Sequence, residues 1–190
     1  MTFTVASTNH DAVKQICDVY VPSGSLVLDC TYGKGMFWKF EHQLNLVTLD
    51  KYLPAQIKGD FCALPFQNRV FDAVVFDPPY YSGGGKPQQN DWFIRKEDVM
   101  VRDLYLKGLM ECSRVTKNKG IIIVKCSDGC PYDAMLPWIL GLKIGTYKDV
   151  VIRINLGLRN FRTPGKIHKL KTCHSYFIVL QNINHQRKLK

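Results

Sequence analysis

Short apolar runs that stop at an aspartate recur along this 190-residue chain. Ser25–Cys30 reads SLVLDC, Asn45–Asp50 reads NLVTLD and Phe71–Asp77 reads FDAVVFD. Runs this short, rich in branched and aromatic residues and bounded by polar or turn residues, read as buried strands. Between them the period lengthens. Val13, Ile16, Cys17 and Tyr20 fall on one face of a helix over Asn9–Tyr20, which YVPSGS breaks. Further helices are expected near Gly35–Gln43, over Lys96–Val115, where KNKG stops it, and over Asp133–Leu140. A brief third strand ends near Asp60, GIIIVKC is a fifth, and Asp149–Asn155 and His174–Gln181 are the last two. Strands alternating with helices predict an α/β fold, a mostly parallel seven-stranded sheet with helices on both faces. The last two strands have no helix between them, so an antiparallel hairpin at the sheet edge is expected.

Composition bounds the rest. At 46% hydrophobic, the chain can bury a core, and residues 1–190 are expected to form one domain. Apolar runs such as Gly120–Val124 are too short to cross a bilayer, so no membrane association is expected. MTFTVASTNHD has no basic region followed by an apolar stretch, which predicts no secretory signal and a cytoplasmic protein. Seven scattered cysteines read there as reduced core thiols. Cys126, Cys130, Cys173 and His174 match no strong zinc spacing, and no metal is expected.

The net charge of +10 is unevenly placed. Val151–Lys190 holds nine Lys or Arg and no acid, whereas the first 150 residues hold 17 basic and 16 acidic side chains. A positive end is the footprint of a polyanion partner, most often nucleic acid. Basic residues alternate there with apolar and turn residues at Arg153, Arg159, Arg162, Lys166, Lys169 and Lys171. The tail at 184–190 reads as a solubilising extension.

In open α/β sheets, ligands bind beyond the carboxyl ends of the strands. Asp29 closes the first strand, and Gly33 and Gly35 let backbone pass close to a ligand, with a helix expected to start behind them. Trp38 stands where a dinucleotide fingerprint needs its third glycine, which argues against an NAD site. Asp50, about twenty residues on, suits a ribose with two free hydroxyls. Asp60 can accept from an adenine amino group, with Phe61 and Cys62 against the ring. Each acid alone fits an ordinary loop or cap. In order, at these intervals, they describe a pocket for an adenosine-containing ligand without phosphates.

The fourth strand runs into Asp77, Pro78, Pro79 and Tyr80. The prolines fix φ and lack N–H donors, so the corner is rigid. The Asp77 carboxylate and the Pro78 carbonyl are both acceptors, and a planar NH₂ group offers two donors. Tyr80 gives a flat face for a base.

On these residues the chain resembles the class I S-adenosylmethionine-dependent methyltransferases, specifically the DNA amino-methyltransferases of adenine or cytosine, in a compact form. VLDCTYGKG resembles their cofactor motif, TLDK the acidic end of the second strand, GDFCALPF the adenine-contacting motif and FDPPY the catalytic motif. The resemblance covers roughly residues 8 to 181. It implies that Asp29, Thr31, Gly33, Gly35, Asp50, Asp60 and Phe61 hold S-adenosylmethionine and that Asp77, Pro78, Pro79 and Tyr80 grip a flipped base. Aspartate before Pro-Pro-Tyr leans towards adenine. At 190 residues the chain is expected to leave no room for a separate target-recognition region. Its substitute would be the glycine-rich segment 82–96, which carries Lys86, Trp92, Arg95 and Lys96, and specificity could also come from a homodimer. An RNA base methyltransferase, a protein glutamine methyltransferase and a non-catalytic nucleic-acid-binding module are the alternatives.

Overall fold

The structure, a computed structural model, describes residues 4–79, 101–127, 135–154 and 174–183. Its elements are β1 (Thr4–Ala6), α1 (Asn9–Tyr20), β2 (Leu26–Asp29), β3 (Asn45–Asp50), β4 (Ile57–Lys58), β5 (Phe71–Phe76), α2 (Val101–Val115), β6 (Thr116–Ser127), α3 (Met135–Gly141), β7 (Gly145–Arg153) and β8 (Ser175–Asn182). The strands form one sheet in the order β1-β7-β8-β6-β5-β2-β3-β4. Every pairing is parallel except those of β8 with β6 and with β7.

The central strands have no polar face. Val27, Ala73, Val75, Ile121 and Ile123 are buried with α1, whereas Leu28, Val74, Phe76, Ile122 and Val124 are buried with α2 and α3. Successive side chains point to opposite faces of a strand, so helices on both sides require an apolar residue at every position. α1 is set by a capping box. The Thr8 hydroxyl accepts from the Asp11 amide at 3.1 Å, and the Asp11 carboxylate accepts from the Thr8 amide at 3.2 Å. Its Ala12, Val13, Ile16 and Cys17 face the sheet.

Three expectations change. The sheet has eight strands, because Thr4–Ala6 pairs in parallel with β7. Three residues are too short to show a period in sequence. The hairpin is therefore not at the edge: β8 lies between β6 and β7, and β1 caps that side. No helix follows Gly35; residues 30–44 are turns, a bend and irregular chain. Gly33 and Gly35 take φ values of +59 and +67, which end helical geometry, and the aromatics that follow are used individually. Phe37 packs edge-on against Phe177 with centroids 5.7 Å apart, and Trp38 turns back to Asp29.

Candidate active site

The chain runs from β2 outward to β3 and β4, then returns to place β5 on the other side of β2. In doubly wound sheets such a reversal marks a ligand-binding crevice at the carboxyl ends of the two strands, which here are β2 and β5. Asp77 follows β5, Asp29 and Asp50 end β2 and β3, and Asp60 lies just beyond β4, and these four strands are consecutive neighbours in the sheet. The sequence intervals thus become a row of carboxylates along one end of the molecule.

Asp29 is 1% exposed, and both its oxygens are engaged. Oδ1 accepts from the Thr31 amide at 3.0 Å and Oδ2 from the Trp38 indole N–H at 2.7 Å. Burial pushes its carboxyl up to about 7; the bonds from Trp38 and Thr31 oppose that, and the charges of Asp77 and Asp50 add to it. Asp29 braces the glycine loop through the Thr31 amide before it and the Trp38 indole after it. Trp38, which spoils the dinucleotide fingerprint, is what holds it.

Asp50 ties two loops together. Oδ2 accepts from the Gly33 amide at 2.8 Å, and Oδ1 accepts from the Tyr52 and Leu53 amides, both at 2.8 Å. Oδ2 keeps acceptor capacity for a ribose hydroxyl. An added Cβ on Gly35 would come within 2.6 Å of the Tyr32 hydroxyl, whereas one on Gly33 would approach only the Thr31 carbonyl, at 3.8 Å.

Asp60 accepts from the Cys62 amide at 2.8 Å and pairs with Lys51 at 2.8 Å. Burial raises its carboxyl, but the Lys51 bond and charge and the Cys62 amide bring it below the usual carboxylate range. Phe61 packs edge-on against Phe76, centroids 5.3 Å apart. The Glu111–Arg114 pair on α2 supports the loop beyond. Arg114 donates to the Leu64 and Phe66 carbonyls, and Glu111 accepts from the Leu64 amide.

Asp77 follows β5, with its amide donating to the Thr31 hydroxyl at 2.7 Å. Its Oδ2 lies 2.8 Å from the Lys125 ammonium. Its Oδ1 is buried and has no hydrogen-bond partner among the described residues. Burial raises this carboxyl, while the charge and hydrogen bond of Lys125 pull against the shift. Pro78 is buried and Pro79 half-buried behind it. Lys125 was absent from the sequence-based site. The signal was one charge inside the apolar run GIIIVKC, at a position opposite Asp77 once β5 and β6 pair with Phe76 beside Val124.

Arg153 ends β7 at the same end of the sheet, and β8 enters there at Ser175, its partner in the ladder. Three strand spacings separate β7 from β5, about 14 Å. Tyr80, Lys86, Trp92, Arg95, Lys96, Arg159, Arg162, Lys166, Lys169 and Lys171 lie outside the described residues, as do Cys130 and Cys173. Among the described residues, no three metal-binding side chains cluster, and no helix is long and apolar enough to cross a membrane.

No known family profile matches the chain. It is 30% identical over 108 residues to an uncharacterized protein, MJ0638, of Methanocaldococcus jannaschii. The match takes in 52% of this chain and only 39% of that protein's length. Among solved structures, a Bacillus halodurans C-125 protein of proposed methyltransferase activity superposes with a TM-score of 0.60 at 12% identity, covering 92% of this chain and 98% of its own. A TehB-like SAM-dependent methyltransferase from Corynebacterium glutamicum gives 0.55 at 12%, covering 93% and 89%. The 1,6-didemethyltoxoflavin-N1-methyltransferase of Burkholderia thailandensis, solved with its substrate and S-adenosylhomocysteine bound, gives 0.55 at 11%, covering 94% and 80%. The chain therefore has the Rossmann-like α/β fold of class I methyltransferases.

Proposed function

We propose that the protein is an S-adenosylmethionine-dependent methyltransferase acting on the exocyclic amino group of a nucleobase, with adenine N6 in DNA as its target. The observation that carries this reading is the Asp77 corner: a carboxylate at the crevice, one oxygen held and the other buried with no hydrogen-bond partner among the described residues, followed by two prolines. Structural neighbours that use this cofactor support the donor, and the aspartate of the Pro-Pro-Tyr corner supports adenine.

The residues present fit the cofactor. Gly33 and Gly35 form a cradle without side chains, at φ values most residues avoid. Asp50 offers a remaining lone pair to the ribose, and Asp60 and Phe61 flank the place of the adenine. When bound, S-adenosylmethionine supplies an electrophilic methyl, which bonds to the amine nitrogen while the carbon–sulfur electron pair stays on sulfur.

The target nitrogen is a weak nucleophile because its lone pair is spread into the ring. Asp77 Oδ1 and the Pro78 carbonyl each accept one of its N–H groups. That pairing favours a tetrahedral nitrogen and returns the lone pair to it. Tyr80 stacks on the flipped base. The nitrogen sheds one proton to solvent as the new bond forms. Catalysis here is positioning and preorganised electrostatics, with no covalent intermediate. The basic stretch from Arg153 to Lys171 holds phosphates, and its β7 and β8 anchors sit at the crevice end of the sheet.

The test is incubation with methyl-labelled cofactor and separate pools of duplex DNA, single-stranded DNA, structured RNA and protein. Digestion to nucleosides should release label as N6-methyladenosine of the deoxy series. Label on an RNA base would overturn the choice of DNA. Label on protein glutamine would overturn the nucleobase.

A further inference from the structure

Lysine is among the residues least often buried, yet β6 buries one beside the acid on which the proposed chemistry turns. The Lys125 side chain is 6% exposed and its ammonium lies 2.8 Å from Asp77 Oδ2. The rings of Phe37 and Phe177 have centroids 5.4 and 5.9 Å from that nitrogen. The fully buried Tyr105 donates its hydroxyl to the Lys125 carbonyl at 2.9 Å, which pins the strand from the other face. Apolar residues of similar volume in place of a buried ion pair are often neutral or stabilising. Packing alone therefore gives no reason for a charge here.

We propose that Lys125 is a positioning residue for methyl transfer: its ammonium occupies Asp77 Oδ2, so the carboxylate stays ionised and meets the target amine through Oδ1. The inference rests on the nucleobase-amine reading above. Two effects contribute. Burial favours a proton on Asp77, and a protonated carboxyl is a donor, the wrong partner for an NH₂ group. A cation within hydrogen-bond distance opposes that proton. The second effect is geometric, because an oxygen held by Lys125 stops the carboxylate from turning and fixes which oxygen faces the base. Among the described residues, the charged groups set against Asp77 are Lys125 from β6 and Asp29 from the end of β2, whose carboxyl feels the Asp77 charge. Among the described residues, Lys125 is the group that keeps Asp77 an acceptor.

The test compares the full wild-type chain with Lys125→Met, Lys125→Gln and Lys125→Arg. Met keeps the apolar contacts with Phe37 and Phe177, and Gln keeps a hydrogen-bond donor without the charge. One readout needs no activity: the Asp77 carboxyl carbon is titrated by NMR. The other is the pH profile of single-turnover methyl transfer. In Lys125→Met and Lys125→Gln, the Asp77 titration and the acidic limb of the rate should both rise by roughly 1 to 3 pH units. Gln should lose less of the plateau rate than Met, and Arg should restore the wild-type profile. The cofactor's dissociation constant should stay within about twofold of wild type throughout, as expected for a residue acting only on the acceptor side. An Asp77 titration unchanged in both uncharged variants would overturn the charge link. A titration that moves while the acidic limb does not would overturn the role in transfer. If the wild type methylates no nucleobase, the functional reading fails, and the NMR titration still decides whether Lys125 sets the charge of Asp77.

Discussion

The hydroxyl of Thr31 accepts the backbone N–H of Asp77 at 2.7 Å. This one bond joins the loop after β2, which would hold the methyl donor, to the corner after β5, which would hold the acceptor. Asp50 ties the β2 loop to β3 through the Gly33 amide, so the two half-sites share a connected backbone. In-line transfer depends on the distance and angle between donor and acceptor, and a misplacement of about 1 Å can cost a factor on the order of 100 in rate.

Thr31→Val removes the acceptor and keeps the shape. It leaves the Asp77 amide unpaired, a loss of about 1–3 kcal/mol by the usual cost of an unsatisfied buried group. Urea denaturation should show that loss, and single-turnover transfer should fall at least about tenfold. Thr31→Ser should recover most of both.

Asp77→Ala should abolish transfer yet leave cofactor affinity within a few-fold of wild type, because the carboxylate faces the acceptor. Calorimetry with S-adenosylmethionine beside a methyl-transfer assay checks this. Equal loss of both would undo the assignment.

Gly35→Ala tests the cradle. The position has φ of +67, and the new methyl would meet the Tyr32 hydroxyl at 2.6 Å. Left-handed geometry alone costs a residue with a Cβ about 1–2 kcal/mol. Cofactor affinity should fall along with stability. A Gly35→Ala, Tyr32→Ala double variant should regain the part due to the clash.

Asp29 makes stability depend on pH in an unusual direction. Its folded carboxyl titrates at about 7 against an ordinary value of 3.8. Between those values the native state keeps a proton that the unfolded chain has lost, so this group's contribution falls as pH rises through that window. Asp29→Asn removes the titration, and its altered bond to Trp38 is independent of pH. Denaturation midpoints of wild type minus variant should therefore decline from about pH 4 to pH 7 and then level off. A flat difference would contradict the raised carboxyl.

Nucleic-acid affinity should fall steeply with salt, with log K linear in log[salt], if the basic stretch from Arg153 to Lys171 contacts phosphates. Filter binding across about 50 to 200 mM salt measures the slope. Replacing Lys166, Lys169 and Lys171 by Gln should shallow it by roughly two to three. A salt-independent affinity would remove phosphate contacts from the account.

The placement of the candidate site's acids was legible because it is local. A strand that ends in aspartate places that aspartate at a known end of the sheet, and Asp29, Asp50 and Asp77 stand there at the ends of β2, β3 and β5. The loop that stands where a helix over Gly35–Gln43 was expected was not legible. Its apolar residues have helical spacing, but Phe37 and Trp38 are spent on Phe177 and Asp29, contacts made across the chain. β1 was missed because three residues carry no period, and its place beside β7 comes only from pairing.

The apolar runs, their terminal acids and the proline corner fixed the fold class and the carboxyl ends of β2, β3 and β5, since strand period and proline geometry act within a few residues. Only the tertiary structure decided which oxygens are left open. Strand pairing brings Lys125 to Asp77 across 48 residues, Thr31 to the Asp77 amide across 46 and Asp50 to Gly33 across 17. Charge state and acceptor geometry arise from these non-local partners and from burial, and neither is a property of the local sequence.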